Sequence, residues 1–229
     1  MIPVGDENPH SGPAIVTLSL VALNVAVFIL QVLLGDPFTL TFSFVPVELT
    51  ALLLGRAPID VLLTIFTAMF LHASLGHLLG NMLFLWVFGD NVEHRLGSAL
   101  YLVFYLLSGI AATFAQYLLD PLSPIPNLGA SGAISGVLGA YLLLFPANEV
   151  RVFVWPYSLF FGAMPLPAVV MLGLWFLIQL WGGLGQLGAV SSGGVAFWAH
   201  VGGFVAGLVL ALPFRERRGP RRFTTFPRY

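Results

Sequence analysis

Residues 128-LGASGAISGVLGAYLLLF-145 are apolar enough to lie in a bilayer, yet they open on Gly129-Ala130-Ser131-Gly132. A hydroxyl here sits among residues small enough to let other groups come close. The apolar run from Ser131 to Pro146 covers 16 residues. As a helix rising 1.5 Å per residue it is roughly 24 Å long, shorter than a hydrocarbon core of about 30 Å. Entered from the outer side, such a helix starts below the membrane surface with Ser131 at its N-terminus. Unpaired N–H groups and a partial positive charge gather at that end and favour a developing anion. The stretch therefore sets a hydroxyl and anion-stabilising amides at depth.

The rest of the chain agrees with a membrane setting. Of 229 residues 58% are hydrophobic and only 8% charged, with a mean hydropathy of +0.94. A soluble domain carries about a quarter charged residues. Asp, Glu, Lys and Arg are absent from 14–34, 61–89, 96–119, 128–147 and 152–214. The last run exceeds the ~20 residues of one span, and 182-GGLGQLGAVSSGG-194 divides it. The expectation is an all-α polytopic protein with six spans near 14–34, 75–92, 98–119, 131–146, 165–183 and 195–213. Residues 1–13 form a short leader, 14–213 the membrane domain and 214–229 a basic tail. The segment 36–74 is too apolar for a solvated loop, and Pro46 and Pro58 interrupt it; it reads as partly sunk in the outer leaflet. All nine basic residues are Arg. With both termini cytoplasmic, Arg95, Arg151 and the six in 215–228 lie inside and only Arg56 outside, as the positive-inside rule asks. The tail then serves as an orientation signal in contact with anionic lipid, not as a nucleic-acid site. The chain has no cysteine, which excludes a disulfide framework and thiol chemistry.

Three polar clusters interrupt the apolar runs. In 72-HASLGHLLGN-81, His77 and Asn81 are spaced i, i+4 and share a helix face, with His72 about one turn earlier. In 198-WAHVGGFVAG-207, His200 opens the last span. Glu93 ends the second span. Ionisable residues within a membrane are functional candidates by default. A nucleophilic serine needs a base, most often His. His200 suits Ser131 because its helix carries small residues at Ala199, Gly203, Gly207 and Ala211, facing Ser131, Ser135 and Gly139 on the fourth span. Such faces let helices approach closely. His77 and Asn81 remain as oxyanion donors beside the Ser131 amide. No acid lies within spans four to six to orient the base, so the expected unit is a Ser-His dyad. Ser135 reads as a packing hydroxyl.

The order HxxxxHxxxN, then GxSG opening a short helix, then AHxxG on the last helix resembles the rhomboid family of intramembrane serine proteases. The resemblance runs from about residue 10 to 213 and includes Glu93 and Gly97 as ExxxG. It implies a six-helix rhomboid-like bundle with Ser131 as nucleophile and His200 as general base and acid. It implies His77, Asn81 and the Ser131 amide as the oxyanion site, Gly129 opening the nucleophile motif, and Glu93 as a structural residue. His72 either supports the site, which is the expectation, or faces interfacial water. Substrates would be transmembrane proteins cut in or near their helices; no cofactor or metal is implied, and the expected location is a bacterial inner (plasma) membrane. Two features depart from the family pattern. Only Arg56 answers a Trp-Arg pair common in the first outer loop. Ser135 also stands where some members stack a Tyr on the catalytic His, so His200 must be held in another way.

Two rival readings follow from the same residues. His72, His77 and His200 as a zinc site lack both the i, i+4 pair of HExxH and a carboxylate. A non-catalytic rhomboid-like scaffold or a transporter would use the buried polar groups without activating a hydroxyl.

Overall fold

The computed structural model describes residues 1–6, 12–186 and 195–215. His10, most of the glycine-rich break after α9 and the basic tail beyond Arg215 lie outside the described residues. In chain order the elements are β1 (Ile2–Asp6), α1 (Ile15–Leu34), α2 (Asp36–Phe42), α3 (Pro46–Leu53) and α4 (Val61–Thr67), then α5 (Leu75–Leu96), α6 (Ser98–Leu119) and α7 (Ser131–Leu144). They continue with β2 (Glu149–Phe153), α8 (Ser158–Phe161), β3 (Met164–Pro167), α9 (Ala168–Gln186) and α10 (Phe197–Ala211).

Helices occupy the six segments expected as spans, but length and hydropathy qualify only four of them to cross a membrane alone: α1, α6, α9 and α10 with its following turn. A fifth arises if the segment Val61–Phe70, bent by 79° against α5, is taken with it as one span. α7, at 14 residues, is apolar but shorter. It is also the centre of the molecule, with every residue from Gly132 to Tyr141 buried. A helix hydrophobic all round belongs inside other helices, and α7 packs most extensively against α10 and α6. α1 shows the converse pattern. Its buried positions are Thr17, Leu20, Asn24 and Gln31, while Leu18, Leu23, Val25, Ile29 and Val32 are exposed. In lipid the polar face turns inward, where backbone and side-chain partners exist.

Glycine sets the α7–α10 approach. A Cβ on Gly203 would collide with the carbonyl oxygen of Gly132, one on Gly207 with that of Gly136, and one on Gly139 with that of Phe204. Of the small residues expected on this face of the fourth span (Ser131, Ser135 and Gly139, flanked by Gly132, Gly136 and Ala140), Gly132, Gly136 and Gly139 make the closest approach. The reason is that backbone carbonyls, not side chains, make the contact.

Four local features differ from the sequence reading. The leader contains a strand, and β1-β2-β3 form an antiparallel sheet with Ile2 opposite Phe153 and Glu149 opposite Pro167, so the fold is mostly but not wholly helical. The second span continues to Leu96, where Gly97 at φ 80° allows the turn into α6. The fifth continues through Gly182 and Gly183 to Gln186. Those glycines leave room for the rings of Phe197 and Trp198, and Trp198 Nε1 donates to the Gly183 carbonyl at 3.1 Å. Finally, the segment 36–74 folds into α2, α3 and α4. Phe44, Leu49, Val61, Ile65 and Ala68 form a separate apolar cluster against Ile110 and Tyr117 of α6.

Candidate functional site

The loop that delivers Ser131 is held by the 36–74 segment. Phe44 and Asn127 exchange backbone hydrogen bonds of 3.0 and 2.7 Å, and Gly129 N–H donates to the Ala68 carbonyl at 2.9 Å. Gly129 then turns at φ +130°, a conformation that L side chains rarely adopt. Ser131 follows as the first residue of α7. Its Oγ lies 2.8 Å from His200 Nε2, a contact made possible by the glycine seam between α7 and α10. The first N–H groups of α7 have no carbonyl one turn back to bond, so they are available to an oxygen bound at the same place.

The other ring nitrogen of His200 is also occupied. Nδ1 lies 2.7 Å from Gln179 Oε1, contributed by α9. The ring of Trp175, one turn earlier on α9, stands 6.0 Å from the imidazole at 35°. Gln179 is buried, and the sequence does not single it out, because the usual partner of such a base is an acid. A Gln among the apolar residues of a helix belongs to no motif. Its signal was that an amide stands in a segment with no other reason to bury one.

His77 reaches the site from α5. Ser74 caps this helix by accepting the His77 N–H at 3.1 Å. The imidazole lies against Gly129 so closely that a Cβ there would sit 2.8 Å from its Cε1 and 3.0 Å from its Nε2. His72 stacks edge-on to His77, with centroids 5.2 Å apart. The His72 backbone is gripped by the Gln31 side chain, which accepts from its N–H at 2.8 Å and donates to its carbonyl at 3.2 Å. Both ring nitrogens of His72 are buried and unpartnered. Asn81 lies one turn beyond His77; its Nδ2 is buried with no hydrogen-bond partner. Ser135, one turn beyond Ser131, donates its hydroxyl to the Ser131 carbonyl at 2.6 Å. Among the described residues no cluster of His, Cys, Asp or Glu could hold a metal ion.

A cavity of about 50 Å³ opens beside the serine, lined by Met69, Ala112, Thr113, Gln116, Gly132 and Ala133 among others. Gln116 Oε1 is buried there without a partner. Chemically, the arrangement holds a hydroxyl, a base within hydrogen-bond reach and unpaired donors, all within an apolar frame.

Such an arrangement defines a membrane-embedded helical protein with a serine–histidine pair at the start of a short internal helix. The chain belongs to the rhomboid family: the rhomboid domain model matches residues 60–217. It is accordingly an integral membrane protein. It is 32% identical over 161 residues to rhomboid protease GluP of Bacillus subtilis, covering 69% of this chain and 28% of that protein. It is 32% identical over 165 residues to the mitochondrial rhomboid protein 1 of Saccharomyces cerevisiae, covering 69% and 43%. To the putative rhomboid protease YdcA of Bacillus subtilis it is 39% identical over 80 residues, covering 35% and 40%. In each case the match spans less than half of the relative's length.

Proposed function

We propose that this protein is an intramembrane serine endopeptidase of six spans that hydrolyses peptide bonds in or near the transmembrane helices of other membrane proteins. The observation that carries this reading is the 2.8 Å approach of Ser131 Oγ to His200 Nε2 at the start of α7. In the proposed mechanism His200 Nε2 takes the Ser131 proton as Oγ attacks the scissile carbonyl. The oxyanion forms against the Ser131 amide, His77 and the unpaired Asn81 amide, donors aimed at charge that exists only in the transition state. His200 then gives the proton to the leaving amine, and water repeats the sequence on the acyl-enzyme. His72 supports the site by packing on His77. The small cavity beside Ser131 suits a small side chain next to the scissile bond. The protease names of two of its relatives support the reaction class. The Arg distribution favours an orientation with both termini cytoplasmic, and the proposed location is a bacterial inner membrane.

The test is labelling of the purified protein with a fluorescent fluorophosphonate, beside cleavage of a model transmembrane substrate. Wild type and Ser135→Ala are expected to label and cut. Ser131→Ala and His200→Ala are expected to lose both by at least a thousandfold, since nucleophile and base act as one unit. Cleavage by folded Ser131→Ala would overturn the assignment. Folded wild type that neither labels nor cuts would favour a scaffold.

A further inference from the structure

The imidazole of the proposed dyad has a polar neighbour on each side. Burial and helix geometry put Gln179 of α9 on the far side of the imidazole from Ser131, with Oε1 2.7 Å from Nδ1. With the amide oxygen of Gln179 facing the ring, the contact puts the proton on Nδ1, because a carbonyl oxygen only accepts. Nε2, 2.8 Å from Ser131 Oγ, is then the unprotonated nitrogen and accepts the serine hydroxyl. The opposite tautomer would set the Nδ1 lone pair against the lone pairs of Oε1, and its Nε2–H would donate to Ser131 Oγ, leaving no lone pair on Nε2 to take the serine proton. One amide oxygen thus selects the only neutral form of His200 able to act as base.

We infer that Gln179 is the positioning residue of this site, holding His200 in the Nδ1–H tautomer and in plane with Ser131 from a neighbouring helix. The inference rests on the proposed hydrolase reading. It also answers the absence of a stacking ring from α7, where Ser135 instead donates to the Ser131 carbonyl at 2.6 Å. α9 supplies the grip on His200 from two successive turns, through Gln179 and through the Trp175 ring at 6.0 Å. A neutral amide fits the setting better than the carboxylate of a soluble triad. A buried anion within apolar helices is expensive unless fully paired, while a neutral acceptor still orients the ring. When Ser131 transfers its proton to Nε2, the Nδ1 proton stays where it is and the imidazolium keeps its bond to Oε1. No proton passes to Gln179.

The experiment compares wild type, Gln179→Met, Gln179→Leu and Gln179→Glu in detergent. Each is assayed for cleavage and examined by ¹⁵N NMR of the His200 ring, with His200→Ala used to assign the signal. Met keeps the length without an acceptor, Leu gives a second shape in case Met packs poorly, and Glu restores an accepting oxygen at the same reach. The expected result is a kcat about tenfold lower for Met and Leu with KM unchanged, the loss of one neutral hydrogen bond from the transition state. The ring spectrum should change from a single Nδ1–H tautomer to a mixture, and Glu should recover the Nδ1–H form. Met and Leu variants that keep the wild-type tautomer and kcat would overturn the inference. The NMR measurement needs folded protein but no activity. An inactive wild type that still shows the Gln179-dependent tautomer would sink the hydrolase reading and leave the positioning role standing.

Discussion

At the scale of single residues, Gly129 carries two requirements at once. Its φ of +130° excludes an unstrained side chain, and the His77 ring occupies the space where a Cβ would go. Backbone strain of this kind costs on the order of 1–3 kcal/mol, but the second effect bears more directly on function. In Gly129→Ala the methyl must push either His77 off its place or the loop away from Ala68, whose carbonyl holds the Gly129 N–H at 2.9 Å. Either shift moves a proposed oxyanion donor relative to Ser131. The expected outcome is a folded protein whose turnover falls roughly a hundredfold, the size of losing one such donor, while fluorophosphonate labelling slows less than cleavage. A variant with wild-type turnover would show that His77 stands beside the site without serving it. Gly80, on the same helix as His77, offers the control, because a Cβ there meets nothing within 4 Å and Gly80→Ala should leave turnover intact.

At the scale of elements, α1 lacks a cap of its own: Ala14 precedes it with no side-chain bond to its first amides. Glu93, at the other end of α5, supplies the cap. Its carboxylate accepts from Val16 N at 2.9 Å, Thr17 N at 2.7 Å, Thr17 Oγ1 at 2.8 Å and Ser98 Oγ at 2.6 Å, so it ties α1, α5 and α6 together where three helix ends meet. Glu93→Ala leaves these donors unmet in a buried place. It should lower unfolding stability by about 3 kcal/mol, with Glu93→Gln milder, both read by thermal denaturation in detergent. Unchanged melting in Glu93→Ala would mean that water replaces the carboxylate. The ExxxG spacing made Glu93 legible as structural, but its partners on α1, more than seventy residues away, were not. That contrast holds across the molecule. Ser131, His200, His77 and Asn81 stood out because polar groups in apolar runs need a reason, and Ser131 and His200 do meet. Gln179 meets the same criterion, but an amide belongs to no motif that would set it beside a base. The strands Ile2–Asp6 and Glu149–Phe153 are short and far apart, and only their pairing in three dimensions makes them strands. The 36–74 segment reads as apolar and broken, and Pro37 and Pro46 do open two of its three helices; what local sequence does not encode is the packing of Leu49, Val61 and Ile65 with Ile110 and Tyr117 of α6.

At the scale of the whole molecule, the two ends differ in kind. At one end β1 pairs with β2, Asp6 accepts from Asn91 Nδ2 at 2.8 Å and from Tyr141 OH at 2.6 Å, and the Arg95 guanidinium donates to the Phe214 carbonyl at 2.8 and 3.0 Å. Strand β1, the ends of α5, α7 and α10, and Arg151 on β2 are therefore gathered on one side. At the other end, Phe44 and Asn127 pair and Gly129 leads into Ser131. Among the described residues Arg95, Arg151 and Arg215 thus collect at the sheet end, and Arg56 belongs to the segment that packs at the site end. If positive charge marks the cytoplasm, the sheet end faces inward and the serine opens outward, below the outer surface. The chain has no native cysteine, so single cysteines report position without background. Ala147→Cys, exposed beside β2, and Pro124→Cys, exposed in the loop before Gly129, place one probe at each end. In intact cells a membrane-impermeant maleimide should label the cysteine at 124 and spare that at 147; permeabilisation should expose both. The reverse pattern would invert the orientation and put the serine on the cytoplasmic side. A substrate would then have to be cut near its inner boundary, and the Arg distribution would need another cause.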